Sequence, residues 1–401
     1  MRPLEGVRVV ELAMWVAGPA VGGILADWGA EVIKIEPPGG DLMRGLNQTY
    51  SASAETRTPG FEVDNRGKRS IVIDLSTPRG VELLHELIGT ADVFLTNTRL
   101  RSLERMGLDH QSLLARHERL IYALVTAHGL DGPARDAPGY EQGSYWAWSG
   151  AADRSTPAGE EPRAVAGAGG DHITAMTAVG GVVAALYARE RQGVGQLVTT
   201  SLLRAGMYTV SGDIATRMAL GRLGRVQSRR TTRNALVNCY AAGDGRWLWL
   251  QGAEQSRHWP NLCRALEAPE LLEDPRFTDG PTRKRNMPEL IEILDRLFAR
   301  RDRDDWAARF AAYDVWWAPV NTAEDLLTDP QVRASGAFLR MRGPDGGVDE
   351  APAGPVDFGT DPDTVVLDGP PATGQHTREI LDALGLDAQT RDRLIEDGVV
   401  A

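Results

Sequence analysis

A single carboxylate, Asp171, closes the stretch Ala164–Ile173 (AVAGAGGDHI) and stands just before the apolar run TAMTAVGGVVAALYA. Taken alone, the pattern describes a helix start. Glycines let the chain turn sharply, and an Asp side chain accepts backbone N–H bonds as an N-cap. Gly18, Gly22, Gly23 and a following Glu36 raise the question of a dinucleotide site. The order there is GPAVGG, not the G-x-G-x-x-G that lets backbone approach a pyrophosphate, and Pro19 has no N–H to offer. These glycines are read as helix–strand packing residues. The seven histidines (85, 110, 117, 128, 172, 258 and 376) show no i, i+3 or i+4 pairing, so no metal site is expected. No G-x-S-x-G elbow and no P-loop occurs. Trp247, Trp249, Trp316 and Trp317 fall in strand-like segments and are read as core.

These residues need elements to hold them. VRVVEL (7–12), EVIKIE (31–36), SIVIDL (70–75), DVFLTN (92–97) and LIYALVTA (120–127) read as strands, with a sixth near 196–201. A helix runs through GPAVGGILADWG, and another is expected over 78–89, with Thr77 as cap and Pro78 at its first position. Apolar strands alternating with helices predict a parallel sheet covered on both faces. Loops at 49–60 and 131–139 are expected at its carboxyl edge, where ligands of α/β sheets bind. A long buried helix follows Asp171 to about Arg191, and helical pattern continues to about Leu220.

Beyond a basic connector, GRLGRVQSRRTTR (221–233), the pattern changes. A hairpin turning at Gly243-Asp244-Gly245 precedes helices near 256–266, 287–300 and 303–312, then a strand at 315–320. The expected organisation is α/β: a large domain on the parallel sheet (1–200), a linker (201–233), a small α+β domain (234–328) and a return segment (329–401). Helices are expected at 378–384 and 388–397.

Bulk properties narrow the partners. The 401 residues, 42% hydrophobic and 25% charged, suit an ordinary globular chain of more than one domain. A net charge of −11 argues against nucleic acid or an anionic membrane as partner. Cys239 and Cys263 supply neither metal spacing nor a disulfide framework, which fits a reducing cytoplasm. The N-terminus MRPLEGVRVVEL carries no secretory signal, so a cytoplasmic location is expected.

Several segments, in order along nearly the whole chain, resemble the class III CoA-transferases of the CaiB–BaiF type. They include LEGVRVVELAMWVAGPAVGGILADWGAEVIKIEPPGGD, NRGKRSIVIDLSTPRG, RLIYALVTAHGLDGPARDAPGYE, GGDHITAMTAVGGVVAALYARERQGVGQ, DPRFTDGPTRKRN, APVNTAEDLLTDPQV and GQHTREIL. The resemblance implies that the large domain is Rossmann-like, and it implies an interlocked homodimer and no tightly bound cofactor, with acyl-CoA and a carboxylic acid acceptor as substrates. It moves Asp171 from cap to nucleophile: its carboxylate attacks the thioester, and covalent catalysis proceeds through an anhydride and an aspartyl-CoA thioester. Val16, Ala17, Ile73, Asn97, Arg105, Pro138, Gly139 and Tyr140 match CoA-binding positions, and Tyr140 and Glu141 match positions lining the reaction centre. Arg105 would supply a cationic fork for a phosphate. His172 is read as structural.

The chain also departs from the family pattern. Val16 stands where some members carry Gln, Ser76 where some carry Lys, and TRLRS follows Asn97 in place of F-R-P-G. The long glycine-rich flap of some members is missing, with only QGAEQ (251–255) near its place. Two other readings stand beside transfer: an α-methylacyl-CoA racemase on the same scaffold, and a non-catalytic acyl-CoA-binding protein. The racemase needs a base on each face of Cα, and a Tyr at 140, with an ordinary pKa near 10, suits that role poorly. Arg229, Arg230 and Arg233 are candidates to meet an acidic group.

Overall fold

The computed structural model describes residues 2–46, 58–163, 167–343, 345–359 and 366–401. Most of the loop expected at 49–60, and Ala164–Ala166 of the glycine-bearing stretch, lie outside the described residues. The chain forms two compact units: Met1–Asp153 with Pro162–Leu223 and Ser335–Ala401, and Arg154–Glu161 with Gly224–Ala334.

The first unit is built on a six-stranded sheet of order β3-β2-β1-β4-β5-β6, with every pairing parallel. Its strands are β1 (Arg8–Leu12), β2 (Glu31–Glu36), β3 (Arg69–Val72), β4 (Val93–Thr96), β5 (Ile121–Thr126) and β6 (Leu197–Ser201). This is the doubly wound, Rossmann-like order, with a crevice where the direction of winding reverses between β1 and β4. Successive side chains point to opposite faces, so each strand feeds two cores. Val9, Val32, Val93, Leu95, Ile121 and Ala123 pack on one side. Val10, Ile33, Phe94, Tyr122 and Leu124 pack on the other. Both faces need cover, which explains the near-continuous apolar runs.

Helix α1 (Ala17–Asp27) and the long helix Gly169–Gln192 cover the first face, through Val21, Leu25, Ala178 and Val182. The long helix packs tightly on β6, because a Cβ at Gly181 would lie 2.7 Å from Val198 Cγ1. Among the described residues it is the one helix long and apolar enough to cross a membrane, and its core-facing side is filled by the sheet. The helix Pro78–Ile88 covers the second face with Leu83, Leu84, Leu87 and Ile88. As expected, Thr77 Oγ1 accepts the Gly80 N–H at 3.0 Å and Pro78 occupies the first position.

The helical pattern expected to Leu220 is two helices, Leu202–Thr209 and Ser211–Leu220, interrupted at Val210. The tail supplies a second sheet, in which the strand Phe338–Arg342 lies between Val348–Pro352 and Val366–Asp368, and the helices Thr377–Ala383 and Ala388–Glu396. Its last residues return to the main sheet, where Val400 bridges Ile73.

The second unit holds the hairpin β7 (Cys239–Ala241) and β8 (Trp247–Leu250), joined by β9 (Trp317–Pro319) in an antiparallel sheet. Leu248 and Leu250 face a core that includes Trp259, Leu262, Leu294, Phe298 and Trp306. Here one expectation is corrected. Trp247, Trp249 and Trp316 are 40–45% exposed, and only Trp317 packs against the core. The period of two along β8 that buries its leucines turns its tryptophans outward.

Candidate active site

The site forms at the carboxyl ends of β1, β4 and β5. The chain leaving β1 is fixed from three sides. Asn97, just beyond β4, accepts the Met14 N–H at 3.1 Å and donates to the Met14 carbonyl at 2.7 Å. Lys34 donates to the Ala13 carbonyl at 2.9 Å, and Asp41 Oδ1 accepts the Trp15 N–H at 3.4 Å. These bonds hold Trp15 at φ 70°, a conformation uncommon for a residue with a side chain. The Trp15 ring meets Tyr140 edge-on, with centroids 5.5 Å apart. Gly18 must be glycine here, since a Cβ would lie 2.6 Å from Ala13 Cβ and 3.0 Å from Asn97 Cγ.

A cleft of about 530 Å³ opens beside this loop, lined by Val16, Ala17, Asn97, Pro138, Gly139, Tyr140 and Asp171. Six of the eight positions matched to CoA binding therefore surround the same space as the carboxylate. Ile73 lines a neighbouring cavity of about 270 Å³ with Leu12, Ile35, Pro37, Ser76 and Met106. The two spaces share Met14 and Thr98 as a common wall. Arg105 lines neither; its guanidinium is exposed and donates to Ser102 Oγ at 3.3 Å. The cleft has cations that sequence reasoning missed. Arg135 is tied to Glu104 at 2.6 Å, whereas Arg99 makes no ion pair among the described residues.

Asp171 does not cap its helix. Ala168 occupies the N-cap position, and Asp171 is the third residue of the first turn. The glycine before it has a different task. The Gly170 N–H donates to the Glu141 carboxylate, and a Cβ on Gly170 would lie 2.6 Å from the Tyr145 ring and 2.9 Å from Glu141 Oε1. Glu141 is buried behind the cleft wall and also accepts from Trp146 Nε1 at 3.1 Å and Gln142 Nε2 at 3.4 Å. It presses negative charge towards Asp171. Burial first, and Glu141 second, push the Asp171 carboxyl up to about 7, while the neighbouring His172 pulls the other way. The His172 imidazole, Nε2 at 3.1 Å from Asp64 Oδ1, is held above its ordinary range chiefly by that bond.

Beneath the loop lies a buried charge cluster. Glu11 receives Lys34 at 3.1 Å and Lys68 at 2.8 Å, and Lys34 also meets Asp41 at 2.8 Å, all four side chains being fully buried. Lys68 completes its shell with the Pro19 carbonyl at 2.8 Å and Asn65 Oδ1 at 3.0 Å. Burial pulls its ammonium down to about 8 against the pull of Glu11, while Lys34, with two carboxylates beside it, is raised. The cluster explains Gly22, where a Cβ would lie 1.8 Å from Glu11 Oε2. Gly23 is equally constrained, with the Asp64 carbonyl oxygen 2.7 Å from a Cβ built there. The reading of these glycines as packing residues agrees with this geometry. Arg229 of the basic connector is engaged within the second unit, by an ion pair to Asp295 and a bond to the Cys239 carbonyl at 3.0 Å.

With this geometry in view, comparison with known proteins identifies the class. Residues 4–377 match the family model described as CoA-transferase family III. The (R)-2-hydroxy-4-methylpentanoate CoA-transferase of Clostridioides difficile is 31% identical over 99% of both chains. The succinyl-CoA–D-citramalate CoA-transferase of Chloroflexus aurantiacus is 34% identical, covering 96% of this chain and 95% of its own. A crystal structure of a CAIB/BAIF family protein from Brucella suis superposes with a TM-score of 0.83 at 30% identity, over 95% of this chain and 99% of that one. The chain belongs to CoA-transferase family III. It is an enzyme of the class III CoA-transferases, whose substrates are CoA thioesters.

Proposed function

We propose that the protein moves CoA from an acyl-CoA to a free carboxylic acid with Asp171 as nucleophile. The observation that carries this reading is a buried carboxylate at a helix start, facing the cleft that the matched CoA positions line. A carboxylate oxygen of Asp171 attacks the thioester carbon, the C–S bond breaks, and CoA leaves as thiolate with the bonding electrons. The mixed anhydride is then opened at the Asp171 carbonyl by that thiolate, which releases the donor acid and leaves an aspartyl-CoA thioester. The acceptor carboxylate attacks this thioester and expels CoA thiolate again. Thiolate attack on the acceptor's carbonyl completes the new acyl-CoA and frees Asp171. Splitting one direct exchange into successive acyl transfers on the enzyme is the use of covalent catalysis.

CoA would be held by Val16, Ala17, Pro138, Gly139 and Tyr140. Asn97 acts by fixing the Met14 backbone, Ile73 belongs to the adjoining cavity, and Arg105 and Arg99 offer charge for phosphate. Glu141, by accepting the Gly170 N–H, would fix the glycine turn that presents Asp171 to the cleft.

The functional form would be an interlocked homodimer of chains organised as 1–200, 201–233, 234–328 and 329–401. The helix Ser211–Leu220 supports a dimer, since it buries no residue within its own chain and exposes Met218 at 81% and Leu220 at 64%. A folded, active monomer in sedimentation analysis would end that part of the reading.

The deciding experiment uses succinyl-CoA, cinnamoyl-CoA and acetyl-CoA as donors with 2-hydroxy and dicarboxylic acids as acceptors. Trapping with hydroxylamine should convert Asp171 to its hydroxamate on one peptide. Asp171→Asn should lose transfer by about a thousandfold or more. An adduct on Glu141 instead, or α-deuterium exchange without any acceptor acid, would defeat the assignment.

A further inference from the structure

The reaction uses Asp171 as an anion, yet burial and the Glu141 charge both oppose that state. Part of the compensation comes from the positive end of its 24-residue helix. A second source is built from a different element. Asp64 lies in the last turn of the short helix Pro59–Asn65, with its carboxylate only 6% exposed and its Oδ1 against His172 Nε2.

That short helix is anchored on three sides. Phe61 lies buried under the Arg44 guanidinium, 4.3 Å from its ring centroid, and Arg44 is clamped by both oxygens of Glu36. Gly23 lets α1 touch the Asp64 backbone, and Lys68 binds the neighbouring Asn65. The Asp64 carboxylate is therefore fixed in position, and the imidazole must come to it.

We propose that Asp64 and His172 are a positioning pair: Asp64 holds a charged imidazolium next to Asp171, and that cation keeps the carboxylate ionised against Glu141. The groups facing His172 are Asp64, Asp171 and Glu141, all acidic; those facing Asp171 are Glu141 and Asp64 against His172 alone. Among the described residues, His172 is the cation set against all three carboxylates, while Lys68 also attracts Asp64. The sequence shows only a histidine beside an aspartate. Its partner lies 108 positions away in the chain.

The inference rests on the nucleophile reading for its part in turnover, but it is measured without substrate. In full-length protein labelled with ¹³Cγ-aspartate, the Asp171 resonance is assigned by its loss in Asp171→Asn. Its titration midpoint should lie at about 7. His172→Gln should raise that midpoint by about one pH unit or more. Asp64→Asn also removes a carboxylate that opposes Asp171 directly, so it is read at the imidazole, whose own midpoint should fall. His172→Lys, which restores a cation, should bring it back towards wild type. An unchanged Asp171 midpoint in His172→Gln, or an unchanged His172 midpoint in Asp64→Asn, with thermal unfolding intact, overturns the pair. Exchange of labelled CoA into succinyl-CoA then adds turnover. If the midpoint moves and the acid limb of exchange moves with it, both readings stand. If the midpoint moves and the limb does not, the pair stands and the nucleophile reading falls.

Discussion

Two groups of buried charges lie within one unit, and they are arranged on opposite plans. Beneath the first loop, Glu11 and Asp41 face Lys34 and Lys68, so anions and cations balance and every charge has a partner within 3.1 Å. Around the cleft, three carboxylates, Asp171, Glu141 and Asp64, are set among the described residues against the half-exposed His172, with Lys68 reaching only Asp64, and Asp171 bears the imbalance. Taking a charge out of water is costly in both places. Where charges are matched, the cost is offset and the result is a rigid support for the loop that carries Trp15 and Val16. Where they are not, a carboxylate is held near neutral pH, the condition of a group recruited for chemistry.

The contrast can be broken from either side. The largest expected effect is at the balanced cluster. Glu11→Gln leaves Lys34 and Lys68 without their shared partner and should cost about 3–5 kcal/mol of unfolding free energy, read from denaturant titration. Asp171→Asn should do the reverse. A carboxyl raised in the fold favours its protonated form, so the wild type carries no penalty at acid pH and the full penalty once pH exceeds about 7. The Asn variant should therefore be more stable by about 2–4 kcal/mol at pH 8, with the gain fading towards pH 4. A loss of stability at pH 8 would show that Asp171 is a structural anchor. Smaller still, Gly170→Ala forces a methyl against Tyr145 and Glu141 and should cost about 1–3 kcal/mol in thermal or denaturant unfolding. It should also slow transfer by displacing Glu141.

How far the sequence reveals these plans depends on the range of the interactions. The six strands are legible because burial on both faces writes apolar runs directly into the chain. The Thr77 cap and the Gly243–Gly245 turn are legible because both are local. The balanced cluster is not, since Lys34 and Glu36 look like ordinary charges in EVIKIE until β1 is aligned with β2 and Glu11 falls opposite Lys34. That register was the available signal. The exposed tryptophans were misread for a related reason: alternation reveals two faces of a strand but not which one meets the core. Asp171 illustrates the limit at the site. Its neighbours suggest a cap, whereas Glu141 and Asp64, which add to the effect of burial on its ionisation, come from distant segments.

The bridge between Ile73 and Val400 carries a consequence for how the molecule is made. The Asp74 N–H, beside that bridge, is bonded to the Val399 carbonyl at 2.9 Å, so the edge of the smaller cavity is tied to the last few residues. A ribosome delivers residues in order, and all of Gly224–Ala334 emerges before this tie can form. The inserted unit, nearly continuous in sequence, can fold while the first still waits for its closing bridge. Nascent chains stalled before Val399 should thus carry a finished inserted unit beside a large sheet whose ligand edge is open.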